Sequence, residues 1–581
     1  MTFRVKPAGR KSSRPSWEQQ SRRTLYMNIG FGLVVVAAIA ILALGAFASW
    51  YADHAGQVGS VNGVSISRDD YRARYRIEDW RLTTAEGRLR DAFSAGHITA
   101  AQRDAGINAL EQQRSSMSTT VLERLVDAEL QRQLAPPLNV AVTSADVDQR
   151  LVDEATTPEE RHAWVIEVAP VISDGATEPT ADQKAAAKAK ADAALADLTA
   201  GKAWEDVAKA TSTAASAAQA GDLGWLTKDS TSIDPAFLTA LFAAQVNTPT
   251  AVVEGADGTY RIGRVTELAP QSVDQAYQQK IADAGIAMSD YRRVVESDIR
   301  RQKLTDAITA SVTDVATDQR RVAEIYLALP QGQGDEVQVR HILFAPNDIT
   351  DQTQLDQLPD DDPAWDTAKA DAQAAYDKLK AYVGTSDLET QFQALAKTDS
   401  DDTQTASAGG ELPYFTRDQL DQSFGDAIFA DGLKKGDLIG PVRSQYGWHV
   451  ILFEDRRPDP LSRITDAKLQ AEQGKDFGTL AKAISAGPEA SLGGELGWVA
   501  KYQLSQQLED AIFATPVGKT SDIITVDGDG FYLFKVEEAA NRKPEGDQLA
   551  TLKSNAFDNW YTTQKGKATI TRETDLPTVQ P

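Results

Sequence analysis

The stretch GGELPYFTRDQLDQSFGDAIF, Gly409–Phe429, decides how the chain is read, because its pattern occurs three times. An earlier copy runs GDLGWLTKDSTSIDPAFLTALF, Gly221–Phe242, and a later one GGELGWVAKYQLSQQLEDAIF, Gly493–Phe513. Each begins with glycine and a short strand signal, then gives an apolar helical phrase that closes on phenylalanine. Each is preceded by an amphipathic helix containing WEDVAKA, FQALAKT or FGTLAKA. Each is followed by a turn and a strand ending on charged residues, YRIGRVTE, WHVILFED or FYLFKVEE. Features recurring in one order mark three copies of a single α+β unit.

Such a unit should open with a strand. The middle copy has VQVRHILFAP (Val337–Pro346) and the first has HAWVIEVAP (His162–Pro170), but the third has none after Pro460. The candidate lies upstream, in RVAEIYLALP (Arg321–Pro330), so the middle copy is expected to be inserted into the third just after that copy's first strand. QGQGDE (Gln331–Glu336) and RRPDPLSR (Arg456–Arg463) are then the two crossings.

Helical phrases flank the first copy, VTSADVDQRLVDEA before it and a long run after Ser272. With Ala85–Leu138 they predict one helical domain interrupted by the first copy. GSVNGVSISRDDY (Gly59–Tyr71) opens it through an Asn-Gly hairpin turn. The expected boundaries are 1–26 for a basic tail, 27–50 for a transmembrane helix, and 51–158 with 270–319 for the helical domain. The first copy spans 159–269, the middle copy 337–459, and the third 320–331 with 460–540. Residues 541–581 form a closing helix, Asp547–Thr563, and a tail, RETDLPTVQP, expected to fray.

Bulk properties fit this division. A chain of 581 residues exceeds one core, and 42% hydrophobic with 25% charged residues is a folded composition. The absence of cysteine excludes disulfides and thiolate metal sites, and a net charge of −24 argues against generic nucleic-acid binding. Residues 1–26 are basic, with Arg4, Lys6, Arg10, Lys11, Arg14, Arg22 and Arg23 against Glu18 alone. Then Met27–Trp50 carries no charge, enough for the roughly 20 helical residues a bilayer core takes. A basic flank stays cytoplasmic, which puts the acidic bulk outside the plasma membrane. AFAS (Ala46–Ser49) resembles a cleavage site and leaves a signal peptide as the alternative.

Two of the chain's five histidines fall in strand phrases of the middle copy: His341 in VRHILF and His449 in YGWHVI. A lone strand histidine is ordinarily a satisfied core residue. Two in one copy, together with Asp402 after the FQALAK helix, point instead to a site. His54, His97 and His162 have no clustered partners in sequence, so no metal site is expected. The acidic loop Asn347–Pro363 lacks the glycine-centred spacing of a calcium loop and reads as solvated.

On these motifs the three copies resemble parvulin-type peptidyl-prolyl isomerase domains. The opening VNGVSISRDDY is similar to the chaperone domain of SurA-like and PrsA-like foldases, and the single anchor with several such copies resembles SurA/PpiD-type membrane foldases. The resemblance implies an α+β fold class. It comprises an N-terminal transmembrane helix, a helical chaperone domain, and three parvulin-like units of small antiparallel sheet with surrounding helices. It also implies His341, Asp402 and His449 as the catalytic set, a proline slot of Leu412, Leu420 and Phe424, and Ser444 and Tyr446 beside the last histidine. Pro413 departs from the usual glycine, and Leu420 stands where methionine is common.

At the same positions the first copy has Val165, Ala214 and Tyr260, and the third has Glu324, Gly487 and Tyr532. Packing positions survive in Leu223 and Phe237, and in Leu496, Leu504 and Leu508. The outer copies are therefore expected to be inactive and to serve binding or spacing.

The chemistry implied is rotation about an amide bond, against a barrier of about 18–20 kcal/mol. Uncatalysed X-Pro exchange takes roughly tens to hundreds of seconds and limits folding. Such a catalyst needs no nucleophile, metal or cofactor, only a slot for the ring and a polar centre favouring the twisted amide. The implied partners are unfolded or nascent secreted and membrane proteins containing proline, and the lipid bilayer through Met27–Trp50. The alternative is an inactive holdase whose copies only bind clients.

Overall fold

The computed structural model describes residues 31, 35–48, 50–51, 54, 56–172 and 178–579. Part of the expected transmembrane stretch, residues 27–30, 32–34 and 49, lies outside them. Among the described residues 35–48 are helical and exposed, and no helix is long and apolar enough to cross a membrane. The chain divides into two compact units, Met1–Ala307 with Lys565–Pro581, and Ile308–Gln564.

In the first unit, β1 (Gln57–Val61) and β2 (Val64–Ser67) form a hairpin. Asn62 and Gly63 at its tip have φ of 51° and 83°, the left-handed pair a tight hairpin turn requires. Ser67 caps the helix Arg68–Ser94 by accepting from the Asp70 N–H. Further helices, Ser144–Glu154 before the first copy and Tyr277–Asp283 and Met288–Thr313 after it, share one core of Ile77, Val147, Leu151, Ile281, Tyr291 and Val295.

The chain's end differs from expectation. Ile570–Arg572 is a strand paired antiparallel with β1, Glu573 N–H donates to Val58 O at 2.9 Å, and Arg68 pairs with Asp575 at 3.1 Å. The start of RETDLPTVQP is thus tied down rather than frayed. The reason is the open edge of β1, whose unpaired backbone groups take a third strand.

The sheet of the first copy contains β3 (Glu160–Val168), β4 (Asp222–Leu226), β5 (Val253–Glu254) and β6 (Tyr260–Ala269), antiparallel in the order β4-β3-β6-β5. Strand alternation gives it two buried faces. Ile166 and Ile262 pack on Trp204 and Val207, while Ala163, Val165 and Val265 pack on Phe237 and Leu241.

The second unit holds two such sheets. β7 (Thr317–Ala328) precedes β8 (Glu336–Phe344), β9 (Leu438–Ser444) and β10 (Gly447–Arg457). β11 (Glu495–Val499), β12 (Ile524–Val526) and β13 (Gly530–Arg542) follow. The orders are β8-β10-β9 and β11-β7-β13-β12. Among the described residues β7 pairs only with strands after β10, so the middle sheet sits wholly within the connection from β7 to β11.

Ile342, Phe344, Val450 and Leu452 pack one face of the middle sheet against the helices Pro363–Lys380 and Leu388–Asp399. The first helix presents Ala364, Ala368, Ala372, Ala375 and Leu379 as its buried stripe. It starts under an Asp362 cap with Pro363 at its first position. The other face carries Val337, Val339, Ile451 and Phe453 against Phe424 and Ile428. Each such side chain contributes about 1.5–3 kcal/mol of burial.

Pro413 has a local structural consequence. At its position the outer copies place Gly224 and Gly497, with φ of 72° and 75°, and continue as β4 and β11. A proline ring fixes φ near about −65° and cannot follow. The middle copy keeps only isolated bridges there, Val337 to Phe415 and Arg340 to Glu411. Leu412 N–H still donates to Val339 O at 3.0 Å, so the residue before the proline stays in place.

Candidate functional site

Alternation along β8 and β10 puts His341 and His449 on the face that also carries Val339 and Ile451. The register pairs His341 with Ile451 and Leu343 with His449, which makes the two imidazoles diagonal neighbours. Their rings are 5.3 Å apart and nearly parallel at 19°, with Nδ1 to Nδ1 at 3.1 Å. Both are buried.

The loop after Leu388–Asp399 delivers the acid. Ser400 Oγ accepts the Leu343 N–H at 3.1 Å, and Asp401 N–H donates to Leu343 O at 2.9 Å. Thus anchored to β8, the loop holds Asp402 Oδ2 2.8 Å from His341 Nε2. Thr405 Oγ donates to the same carboxylate oxygen at 2.5 Å and lies 3.2 Å from His341 Nε2. At the other end, Ser444 Oγ is 2.7 Å from His449 Nε2. A continuous chain runs Ser444, His449, His341, Asp402, Thr405.

Burial pushes the His449 imidazole well below its ordinary value. Neighbouring His341 adds to this, and Asp402 opposes it. The Asp402 carboxyl is held well below the usual range by the hydrogen bonds from His341 and Thr405, against the effect of burial. One proton order satisfies every member. Ser444 O–H donates to His449 Nε2, His449 Nδ1–H to His341 Nδ1, and His341 Nε2–H to the Asp402 carboxylate. The result is a fixed polar row ending in a negative charge.

The slot lies on the same face. Phe424 stands edge-on to His449, with centroids 4.9 Å apart at 74°, and edge-on to His341 at 6.1 Å. Leu412, Leu420 and Val442 complete its apolar wall. The structure thus brings His341, Asp402, His449, Ser444, Leu412, Leu420 and Phe424 together. Tyr446 is exposed and joins only through its backbone N–H, which donates to Ser444 Oγ at 3.0 Å. Thr405 was not among the expected residues. A threonine three positions after an aspartate, where the chain turns back on that aspartate's carbonyl, is the local signal for it.

The outer copies superpose on this plan through the backbone. Val165, His341 and Glu324 each donate their N–H at 2.8 Å to a repeat glycine, Gly221, Gly410 and Gly494. A Cβ on those glycines would lie 1.8, 2.1 and 2.1 Å from a carbonyl oxygen, so only glycine fits the approach. Thr213 and Ala486 repeat the Asp401 bond to the first strand, which leaves Ala214 and Gly487 at the Asp402 position.

The last-histidine position needs one correction. Tyr532 pairs with Tyr326 just as His449 pairs with Leu343, but in the first copy the equivalent residue is Arg261, paired with Glu167, and not Tyr260. A slip of one residue exchanges sheet faces. Tyr260 packs with Val168, Ala187 and Ala191, on the side away from the site. Arg261 is tied in ion pairs to Glu167 at 2.9 Å and Asp257 at 2.6 Å. Among the described residues, no group of three or more His, Asp or Glu side chains is arranged to hold a metal ion.

Comparison with known proteins gives matches along the same segments. A family model described as the PPIC-type PPIase domain matches residues 341–455 and again 456–538, and a second with the same description matches 150–268. The match over 456–538 leaves out β7, which that sheet takes from upstream. The chaperone SurA of Alkalilimnicola ehrlichii is 24% identical over 336 residues, covering 52% of this chain and 72% of its own. The chaperone SurA of Yersinia pestis is 34% identical over 122 residues, 21% of this chain and 23% of its own. Among solved structures, PrsA from Bacillus subtilis is 20% identical, covering 41% of this chain and 75% of that one, with a TM-score of 0.16.

Proposed function

The chain belongs to the parvulin-type, or PPIC-type, peptidyl-prolyl cis-trans isomerase family, in company with SurA- and PrsA-like foldases, and on that premise we propose that its middle copy isomerises X-Pro bonds in unfolded clients. The observation that carries the reading is the row Ser444–His449–His341–Asp402–Thr405 lying against the apolar slot of Leu412, Leu420 and Phe424.

In this reading the pyrrolidine ring enters the slot and loses its water. Planar amide resonance separates charge, so an apolar setting favours the twisted form in which that separation is lost. The buried row supplies fixed dipoles that need no reorganisation as the bond turns. Phe424 and the leucines grip the ring, Ser444 and His449 face the turning amide, and His341, Asp402 and Thr405 position them. The reaction calls for no cofactor. The test is exchange of an X-Pro peptide with and without the protein. Acceleration is expected, and its persistence after joint replacement of His449, Asp402 and Leu412 by alanine would sink the assignment.

The outer copies, with apolar walls but without the histidine pair, support a holding role for clients. A pure holdase remains the competing function. It would suppress client aggregation without speeding a proline-limited refolding step. The basic tail and the uncharged Met27–Trp50 support anchoring in the plasma membrane with the bulk outside, among unfolded secreted or membrane proteins. Release of the full chain from membranes by alkaline carbonate would contradict that anchoring.

A further inference from the structure

The polar centre of the third copy is replaced rather than empty. Glu324 occupies the place of His341, donating its backbone N–H to Gly494 O at 2.8 Å and pairing with Phe534 as His341 pairs with Ile451. Tyr532 occupies the place of His449, next to Tyr326, with the two rings 4.9 Å apart. Both tyrosine hydroxyls are spent on Asp529, at 2.5 Å from Tyr532 and 3.0 Å from Tyr326. The Glu324 carboxyl, by contrast, makes no side-chain hydrogen bond or ion pair among the described residues. The carboxyl lies against Gly487, where the middle copy has Asp402: a Cβ there would sit 3.3 Å from Glu324 Oε1, a tight contact that the missing side chain avoids.

The apolar wall is kept as well. Leu496, Leu504 and Leu508 fall where Leu412, Leu420 and Phe424 stand, half-buried around Val322, Phe534 and Val536. The third copy therefore pairs an apolar wall with one unspent hydrogen-bonding group at the place that His341 takes in the middle of the polar row. The Glu324 side chain is only partly buried, so its carboxyl is within reach of a partner from outside.

We infer that the third copy is a second client site, in which an X-Pro segment seats its ring on Leu496, Leu504 and Leu508 and accepts a hydrogen bond at the carbonyl before proline from the Glu324 carboxyl. The inference rests on the reading of the middle copy as a proline site. It assigns the third copy to holding X-Pro segments and the middle copy to turning them.

Donation requires the protonated acid. Burial, with Glu489 and Asp529 adding, pushes the Glu324 carboxyl up to about 7. Glu489 comes from the turn after the helix Phe477–Ile484 and Asp529 from the β12–β13 turn. Tyr326 on β7 and Tyr532 on β13 are the other titratable groups facing it. The charged groups among these are both acidic, so ionised Glu324 is left without compensation. Binding at this site should weaken as the pH rises. If only the protonated form binds, the loss is roughly tenfold between pH 6 and pH 8.

The test uses the full chain and an Ala-Ala-Pro-Phe peptide carrying a photoreactive diazirine, with labelled segments mapped by mass spectrometry from pH 5.5 to 8.5. Labelling within 487–532 that falls about tenfold between pH 6 and pH 8 supports the inference. So does the variant Glu324→Gln keeping that labelling and losing its pH dependence, because an amide donates at every pH. Labelling of the middle copy in the same sample is the internal reference for folding. Labelled middle copy with unlabelled 487–532 overturns the inference and leaves the reading of the middle copy standing. Labelling of 487–532 that ignores pH overturns the role of Glu324, and labelling of neither copy overturns both readings.

Discussion

Replacing Asp402 by asparagine keeps the shape of the side chain and removes its charge, which isolates what the acid does for the histidine row. The carboxylate accepts from His341 Nε2 at 2.8 Å and from Thr405 Oγ at 2.5 Å. Hydrogen bonds to a charged group are worth about 1.5–3 kcal/mol and neutral ones about 0.5–1.5, so the variant should lose about 1–1.5 kcal/mol. If Asp402 holds the row for catalysis, kcat/KM for an X-Pro peptide should fall roughly five- to tenfold, since each 1.4 kcal/mol is a factor of ten. Thermal unfolding should come a few degrees earlier. The sign with pH follows from the direction of the shift. A depressed carboxyl contributes stability above its ordinary value of 3.8 that is lost as pH falls through the folded value. The stability gap between the two proteins should therefore be full at pH 7 and close in strong acid. A lowered melting temperature with kcat/KM unchanged within twofold would show that Asp402 supports the fold alone. No change in either would refute the hydrogen-bonded row.

Thr405→Val removes the hydroxyl that bridges Asp402 and His341. It should lower kcat several-fold with little effect on KM in peptide kinetics. Because Glu324 is shifted upward, its contribution is present below its ordinary value of 4.5 and lost as pH rises through about 7. Urea unfolding of the Ile308–Gln564 unit should thus show up to about 3 kcal/mol less stability at pH 8 than at pH 4.5, and Glu324→Gln should flatten the profile. Pro413→Gly should cost about 0.5–1 kcal/mol through a freer unfolded chain and leave isomerase activity within twofold, since Leu412 is already held by Val339 O. A fragment Val337–Asp459 should unfold cooperatively on heating. Leu461–Glu538 should not, because β7 supplies Ala323, Ile325 and Leu327 to its core.

Much of this was legible in the sequence, for reasons that differ by residue. The repeated glycine-led phrase is visible because those glycines approach a neighbouring carbonyl too closely for a Cβ, which forces the same residue in every copy. RVAEIYLALP stands out because the third copy has no opening strand of its own, and the sheet pairs it with β11 and β13. His341 and His449 interrupt otherwise apolar strands, so they are conspicuous wherever the strands are recognised. Other features depend on pairing that a single strand does not carry. YRIGRV offers Tyr260 and Arg261 to either face until its register with β3 is known. Ile570–Arg572 is too short to read as a strand, and its partner is about 500 residues away. Thr405 gains its role only where the loop folds back on Asp402, and Tyr446, beside His449 in sequence, turns its ring to solvent.

The central claim is that the middle copy turns X-Pro bonds, and exchange spectroscopy on a proline peptide with the full chain tests it most directly. The account predicts faster cis-trans exchange with the unaltered protein, retained when Leu496, Leu504 and Leu508 of the third copy become alanine. It predicts that the acceleration is lost when His449 and Leu412 become alanine. Acceleration that survives the second change, or exchange no faster than in buffer with the unaltered protein, would contradict it.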